Sequence, residues 1–351
     1  MQFIYNINKL SNKIILYGSG GMASDLLNKI SLKKKVIIVD DFNHGKFYKY
    51  KRFIKKIYKP SVINKFSDFN LIITNRFYKN IARKIKKTHF LYFLRVEKKE
   101  YVIKKKDLTK TKLMKIKFVR SKLGNFSKKI FLLSLNFRKN TVKGYKAFHN
   151  FLIKYPYKNQ YLSFVPKKIG YLVDIGFHNG ESTRRYLDRY KNIKRIYAIE
   201  PNPKNFKGIK NLIVKKIGLS NKDKISKFYL NEKSSSGNSL LKVGKKFLKI
   251  RLKKLDNIIN FLPKNSIIKF DIEGAELNAL KGCKNLITKF KPYLAISIYH
   301  RKWDIVEIPM YMIKYYNNFY KFKIRHYSYG YNETVLYCIP KNNQRDVFKN
   351  N

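Results

Sequence analysis

The sequence predicts an α/β protein with two parallel sheets, a smaller one followed by a larger one. Three observations carry that expectation. Tyr171 to Glu200 reads as strand, glycine turn, helix, strand and terminal acid. The same order appears earlier, from Lys13 through Gly18-Ser19-Gly20-Gly21 to Asp40-Asp41. Farther on, the apolar run Ser266 to Phe270 delivers Asp271-Ile272-Glu273-Gly274-Ala275-Glu276, and Tyr293 to Tyr299 ends on His300. Short apolar runs that alternate with helical patterns define parallel strands joined by crossover helices.

The 351 residues suffice for two domains, and 44% hydrophobic residues suffice to bury their cores. The charge is unusual: 79 Lys+Arg against 21 Asp+Glu, a formal net of +58. The basic residues are spread through both halves and no nucleic-acid module signature is present, so a specific nucleic-acid partner is not expected. Abundant Lys, Asn, Ile, Phe and Tyr fit an A/T-rich coding bias, and weak attraction to an anionic membrane or an acidic substrate remains. Cys283 and Cys338 follow no metal spacing and suit a reducing cytoplasm. The first residues show no small-residue cleavage site and run into a strand, and no apolar run spans a bilayer; the expectation is a cytoplasmic protein, at most peripheral at the inner face of the membrane.

The first domain is taken as residues 1–110. The strand Lys13 to Tyr17 leads into Gly18-Ser19-Gly20-Gly21-Met22-Ala23, a helix from Ser24 to Ile30, and the strand Val36 to Val39. This is the G-x-G-x-x-A pattern in its strand–turn–helix context, a Rossmann-like unit. Gly18, Gly20 and Gly21 would bring backbone N–H groups to a diphosphate, and Asp40 or Asp41 would take ribose hydroxyls. Leu71 to Ile73 continues the sheet. The segments ILYGSGGMASDLL and VIIVDD resemble the small N-terminal domain of PglD-type sugar acetyltransferases, which implies a nucleotide-sugar or similar site.

Residues 111–165 read as a helical connector, two or three helices rich in Lys and aromatics, and residues 166–342 as the second domain. There Asp174 closes the first strand, Gly176 and Gly180 bracket a tight turn, and Glu200 closes the second strand, where a ribose would present two hydroxyls. Leu212 to Lys215 is the third strand, with Gly218, Leu219 and Ser220 in its turn. The polar loop from Ser234 to Ser239 could fold over a ligand. Helix Ala275 to Lys281 is stopped by Gly282. Phe319 to His326 and Thr334 to Ile339 form a hairpin that closes the sheet with an antiparallel edge.

DIGFHNGES, IYAIEPNPKNF, IIKFDIEGAELNALKG, KPYLAISIYH and ETVLYCIP, in this order and spacing, resemble the FkbM family of S-adenosylmethionine-dependent O-methyltransferases. The resemblance covers residues 165 to 340. It implies the class I methyltransferase sheet, seven strands with the last antiparallel. By position, Asp174, Gly176 and Gly180 would line the methionine end of the cofactor, Glu200 with Asn202 the ribose, and Gly218, Leu219 and Ser220 the adenine. Phe177-His178-Asn179 is bulkier than the family's usual turn.

The acids Asp174, Glu200, Asp271 and Glu273 suit a sulfonium cation better than a pyrophosphate. Transfer to a hydroxyl needs a proton acceptor, and His300, near its natural pKa, is the candidate base with Asp271 or Glu273 as orienter. A divalent metal held by Asp271 and Glu273 is the alternative. The expected activity is methyl transfer from S-adenosylmethionine to a hydroxyl of a sugar or glycan precursor. Two other classes are weighed: an NAD-dependent sugar-nucleotide oxidoreductase using Gly18 to Ala23, and a nucleic-acid-binding chain exploiting the charge.

Overall fold

The computed structural model describes residues 2–4, 12–27, 34–50, 53–66, 68–74, 81, 91–93, 101–139, 142–155, 159–204, 206–231, 238–241, 245–328 and 330–341. The chain divides into two compact units, Met1–Lys98 and Lys99–Asn351.

The first unit is a seven-stranded sheet. Its strands are β1 (Gln2–Ile4), β2 (Lys13–Tyr17), β3 (Lys35–Val39), β4 (Phe47–Tyr50), β5 (Phe53–Tyr58), β6 (Asn70–Ile73) and β7 (Leu91–Phe93), in the order β1-β7-β6-β2-β3-β5-β4. All pairings are parallel except β4 with β5. Helix α1 (Gly21–Leu27) packs Ala23, Leu26 and Leu27 against Ile14, Leu16, Val36 and Ile38. Of the helix expected from Ser24 to Ile30, residues 28–30 lie outside the described residues.

The second unit begins with three helices, α2 (Lys110–Ser121), α3 (Asn125–Arg138) and α4 (Val142–Lys154). In α3 six of the seven buried positions, Ser127, Ile130, Phe131, Ser134, Leu135 and Arg138, lie on one face of a 3.6-residue period. That face lies on the sheet: Ser127 Oγ accepts from the Ile324 amide at 3.0 Å, and the Arg325 guanidinium stands 4.7 Å from the Phe126 ring. Thr109 caps α2. Lys112 and Lys115 of that helix pair with Glu307 of α8 (Asp304–Tyr316).

The large sheet contains β8 (Tyr171–Ile175), β9 (Arg195–Ile199), β10 (Leu212–Lys215), β14 (Ile267–Phe270), β15 (Tyr293–Ser297), β16 (Tyr320–His326) and β17 (Thr334–Pro340). Their order is β10-β9-β8-β14-β15-β17-β16. α5 (Glu181–Arg189) joins β8 to β9, while α6 (Glu276–Lys281) and α7 (Lys284–Phe290) join β14 to β15. Chain order therefore departs in opposite directions from β8 and β14. Such a switch point opens a crevice at the strands' C-terminal ends.

One expectation is corrected. The hairpin β16–β17 exists, but the antiparallel strand is interior: β17 pairs antiparallel with both β15 and β16, which leaves β16 at the edge. The sequence difference explains the order. TVLYCIP is buried at every position, as a strand covered on both faces must be, whereas YKFKIRH alternates.

A second correction concerns Gly218 to Ser220. They do not extend the large sheet. β11 (Gly218–Leu219), β12 (Lys224–Tyr229) and β13 (Phe247–Lys253) form a separate three-stranded sheet. The polar loop expected over a ligand lies, for residues 234–237, outside the described residues. Among the described residues no helix is long and apolar enough to cross a membrane.

His326 offers a test of this packing. It is buried against Phe148, its Nδ1 is 2.7 Å from Thr334 Oγ1, and burial pushes its pKa from 6.5 down to about 3. The native ring stays neutral while the unfolded ring protonates below pH 6.5. Stability present above that pH is therefore lost as pH falls from 6.5 toward 3, by about 1.4 kcal/mol per pH unit from this group. Trp303, the chain's single tryptophan, reports on the second unit. Urea titrations followed by its fluorescence should show a shallower acid slope in His326→Asn. An unchanged slope would remove His326 from the account.

Candidate active site

The site is built on the ends of four adjacent strands. β8 delivers Asp174 and then the turn from Gly176 to Gly180. Gly176 has φ +82°, and a Cβ there would stand 1.8 Å from the carbonyl oxygen of Asp271. The ends of β8 and β14 therefore touch backbone to backbone, a contact only glycine permits. Gly180 has φ +75°, and its Cβ would stand 2.6 Å from Phe177 Cζ. Phe177 is buried. The bulk of this turn thus points into the protein beneath Gly180.

Asp174 is fully buried and fully engaged. Ser182 Oγ and Thr183 Oγ1 donate to Oδ2 at 2.7 and 2.6 Å, and Lys269 Nζ donates to Oδ1 at 2.8 Å. Lys269 also donates to the Gly176 carbonyl at 3.0 Å. The expectation that Asp174 offers free negative charge to a cation is corrected here. A lysine from the neighbouring strand neutralises it, and its place is to hold the turn and the start of α5.

Glu200, at the end of β9, is 8% exposed. Oε2 accepts from the His178 amide at 3.3 Å and Oε1 from the Asn202 amide at 3.1 Å. A carboxylate has about four lone-pair directions, so capacity for two further donors remains. Burial raises its pKa, and the two amides only partly offset this. Asn202 thus enters through its backbone. Gly218 lies against Leu252 and Ile250, where a Cβ would stand 2.5 and 3.0 Å away, and the carbonyl of Ser220 would be 2.0 Å from a Cβ on Gly282. Leu219 and Ser220 are buried in the small sheet.

The third and fourth strands bring the acids to His300. Asp271 Oδ1 accepts from Ser297 Oγ at 2.8 Å and Tyr299 Oη at 3.3 Å. Burial pushes its pKa up, but Lys269, His300 and the hydroxyls of Ser297 and Tyr161 together hold it below the ordinary carboxylate value. Glu273, half-exposed, has φ +52°. Glu276, fully buried, accepts from the Ile272 amide at 2.8 Å through Oε1, which also lies 2.7 Å from His300 Nδ1. The contact expected of Asp271 or Glu273 at the orienting nitrogen is therefore made by Glu276. Asp271 and Glu273 face Nε2, each at 3.4 Å.

Nor is His300 near its natural pKa: burial pushes it down, yet Glu276 and Glu273 carry it well above the ordinary imidazole value. Asp304 completes the group. Burial and Glu276 raise its pKa to about 6.

Lys269, Glu276 and Asp304 have no role assigned from the sequence alone. A lysine inside the apolar run SIIKF was a visible signal, because a cation on a strand buried on both faces must have a partner. Glu276 was visible only as one acid among three.

In the first unit, Gly18 has φ +110° and its amide donates to the Val39 carbonyl at 2.8 Å. Gly20 and Gly21 follow at the turn into α1, and a Cβ on Gly20 would meet nothing within 4 Å. Asp40 is committed to its own turn. Ser19 N and Oγ donate to Oδ2, both at 2.8 Å, while the Phe42 and Asn43 amides donate to Oδ1 at 2.9 and 3.1 Å. Four donors use its lone pairs, which leaves none for the ribose expected there. Asp41 accepts from Tyr17 Oη at 3.0 Å.

The strand order, the glycine turn at the switch point and the acid ending β9 define a Rossmann-like methyltransferase fold. Residues 174–329 match the model of the methyltransferase FkbM domain family. The crystal structure of methyltransferase FkbM from Methylobacillus flagellatus KT is similar in fold, with TM-score 0.59 and 22% identity over 94% of this chain and 90% of that one. An rRNA methylase from Streptococcus thermophilus aligns with TM-score 0.32 and 14% identity, over 50% of this chain and 89% of that one. No curated protein matches the sequence.

Proposed function

We propose that the second unit binds S-adenosylmethionine across the ends of β8 and β9 and methylates a hydroxyl of a sugar or glycan precursor. The observation that carries the reading is Glu200: a buried carboxylate at the end of β9, with acceptor capacity left over, inside a methyltransferase domain. A ribose diol has the two donors that such a carboxylate lacks. Gly176, Gly180 and the amide of Asn202 would form the surrounding wall, with Asp174 and Lys269 holding that wall from below. Gly218, Leu219 and Ser220 would lie toward the base.

Bound there, S-adenosylmethionine supplies a methyl carbon: its bond to sulfur breaks, the electron pair stays on sulfur, and the acceptor oxygen forms the new bond. The residues of this chain position and desolvate that encounter. The acceptor's hydroxyl proton leaves to Asp271 or Glu273, with His300 as their cationic partner. Those groups favour an acceptor rich in hydroxyl donors over one that presents an anion to the reaction centre. The reading takes the chain as cytoplasmic, its two cysteines free and buried, with weak attraction to anionic membrane surfaces from its +58 net charge. The oxidoreductase reading loses Asp40 as a ribose acceptor and keeps Asp41, which accepts from Tyr17 Oη.

Calorimetry on the full chain tests the cofactor. S-adenosylhomocysteine should bind one per chain and NADH should not. Glu200→Ala should weaken binding about 10- to 100-fold, the worth of hydrogen bonds to a charged acceptor. Absence of S-adenosylhomocysteine uptake would end the proposal. The acceptor is tested by mass spectrometry of surface glycans from cells with and without the gene, where loss of one methyl group per acceptor is expected.

A further inference from the structure

The small three-stranded sheet has two unlike faces. Phe228, Ile250 and Leu252 pack together on one of them. Strand register places the alternate residues on the other: Ile225 opposite Arg251, Lys227 opposite Lys249, and Tyr229 opposite Phe247. Tyr229 is half-buried and the other five are exposed, Ile225 at 73%. The Tyr229 and Phe247 rings stand 5.9 Å apart, and Lys227 Nζ lies 4.5 Å from the Phe247 centroid. Two lysines directly opposite one another on a sheet repel. Among the described residues no carboxylate pairs with Lys227, Lys249 or Arg251.

This face runs into the acid turn after β14. Tyr229 and Ser239 exchange backbone hydrogen bonds at 2.8 and 3.0 Å. Phe247, Tyr229 and Ser239 therefore form one cross-strand row with their side chains on the same side. Ser239 Oγ then donates to the Glu273 carbonyl at 2.7 Å. A Cβ on Gly274 would stand 3.0 Å from Leu241 Cδ1, a second contact between the two elements. At about 4.8 Å per strand and about 3.4 Å per residue, Lys227 and Lys249 lie on the order of 10 Å from the Glu273 turn. One surface thus carries carboxylates at one end, an aromatic pair next, and three cations beyond.

We propose that the outer face of β12 and β13 binds the methyl acceptor, and that this acceptor is a phosphorylated sugar. Tyr229 and Phe247 offer a flat apolar surface to the ring. Lys227, Lys249 and Arg251 hold the phosphate, and the Arg251 fork matches two of its oxygens. The free hydroxyl then reaches Asp271 and Glu273. The role of that hydroxyl rests on the methyl-transfer reading; the phosphate subsite does not. Single-stranded nucleic acid also meets cations and aromatics, but it takes about 4–16 nucleotides per sheet module, more than one aromatic pair can seat. A second copy of the chain would set the same cations against these.

Calorimetry on the full chain tests this, with and without S-adenosylhomocysteine, in about 0.15 M salt, where charges beyond about 8 Å are screened. Glucose 1-phosphate should bind one per chain, at least tenfold tighter than glucose or inorganic phosphate. Lys227→Gln with Lys249→Gln should weaken it at least tenfold, the worth of charged hydrogen bonds, with S-adenosylhomocysteine uptake unchanged. Both lysines are exposed, so the fold is kept. Lys105→Gln with Lys106→Gln removes the same charge from other exposed positions and should leave sugar-phosphate binding unaltered. Equal weakening by the two pairs means diffuse attraction and overturns the subsite. Inorganic phosphate binding as tightly as glucose 1-phosphate overturns the sugar. Oligouridylate binding that only the Lys227 and Lys249 pair weakens, without sugar-phosphate uptake, makes the face a nucleic-acid platform and also overturns it. A chain that binds S-adenosylhomocysteine but no glucose 1-phosphate overturns the acceptor and leaves the cofactor standing. Sugar-phosphate binding that depends on Lys227 and Lys249, in a chain that takes up no S-adenosylhomocysteine, supports the subsite and strikes the methyl-transfer reading instead.

Discussion

Lys269→Met should destabilise the second unit by about 3–5 kcal/mol, the range for breaking a buried ion pair from one side. Lys269 and Asp174 are 1% and 0% exposed and 2.8 Å apart. Methionine fills most of the lysine's volume, so the loss is electrostatic rather than a cavity. It leaves a carboxylate with two hydroxyl donors and no counter-charge in a medium that solvates charge poorly. Asp174→Asn in the same chain removes the stranded charge and should recover much of the loss, because buried pairs replaced as a whole are often near neutral. The double-mutant cycle, read from urea midpoints by Trp303 fluorescence, should give a coupling well above 1 kcal/mol. A single-variant loss below about 1 kcal/mol would mean that the pair is solvated and that Asp174 is free to face a ligand.

That pair also marks where the sequence stops being readable. The strands themselves were legible as apolar runs, and so was the polarity of β8, β9, β14 and β15, because each runs into an acid, a glycine turn or a histidine. What joins Lys269 to Asp174 is register: they are direct partners across β14 and β8, 95 positions apart along the chain. No local pattern encodes that distance. Glu276 is similar. Whether it or Asp271 reaches Nδ1 depends on how α6 starts after a left-handed Glu273, which hydropathy does not report. The antiparallel strand's interior place, by contrast, was written in the contrast between TVLYCIP and YKFKIRH. The short strand Gly218–Leu219 was misread because two residues carry no period. Its pairing with Leu252 and Lys253 is purely tertiary.

Gly176→Ala should be the most damaging single methyl among the described glycines. The added carbon would lie 1.8 Å from the Asp271 carbonyl oxygen and 2.7 Å from its carbonyl carbon. Neither atom belongs to a flexible side chain. Asp271 N donates to the Ile175 carbonyl at 3.0 Å, so β14 cannot retreat without breaking the ladder that aligns the two strands. Gly208→Ala is the matched control. Gly208 has φ +76°, close to the +82° of Gly176, but nothing lies within 4 Å of its added carbon. It should show only the left-handed penalty of about 1–2 kcal/mol. The difference between the two variants then isolates the backbone contact. Gly176→Ala should lose the cooperative Trp303 transition or fail to yield soluble chain, whereas Gly208→Ala should unfold with a modestly lowered midpoint. If both shift equally, the β8 and β14 ends are not in contact. The crevice between Glu200 and the His300 cluster would then need a different floor.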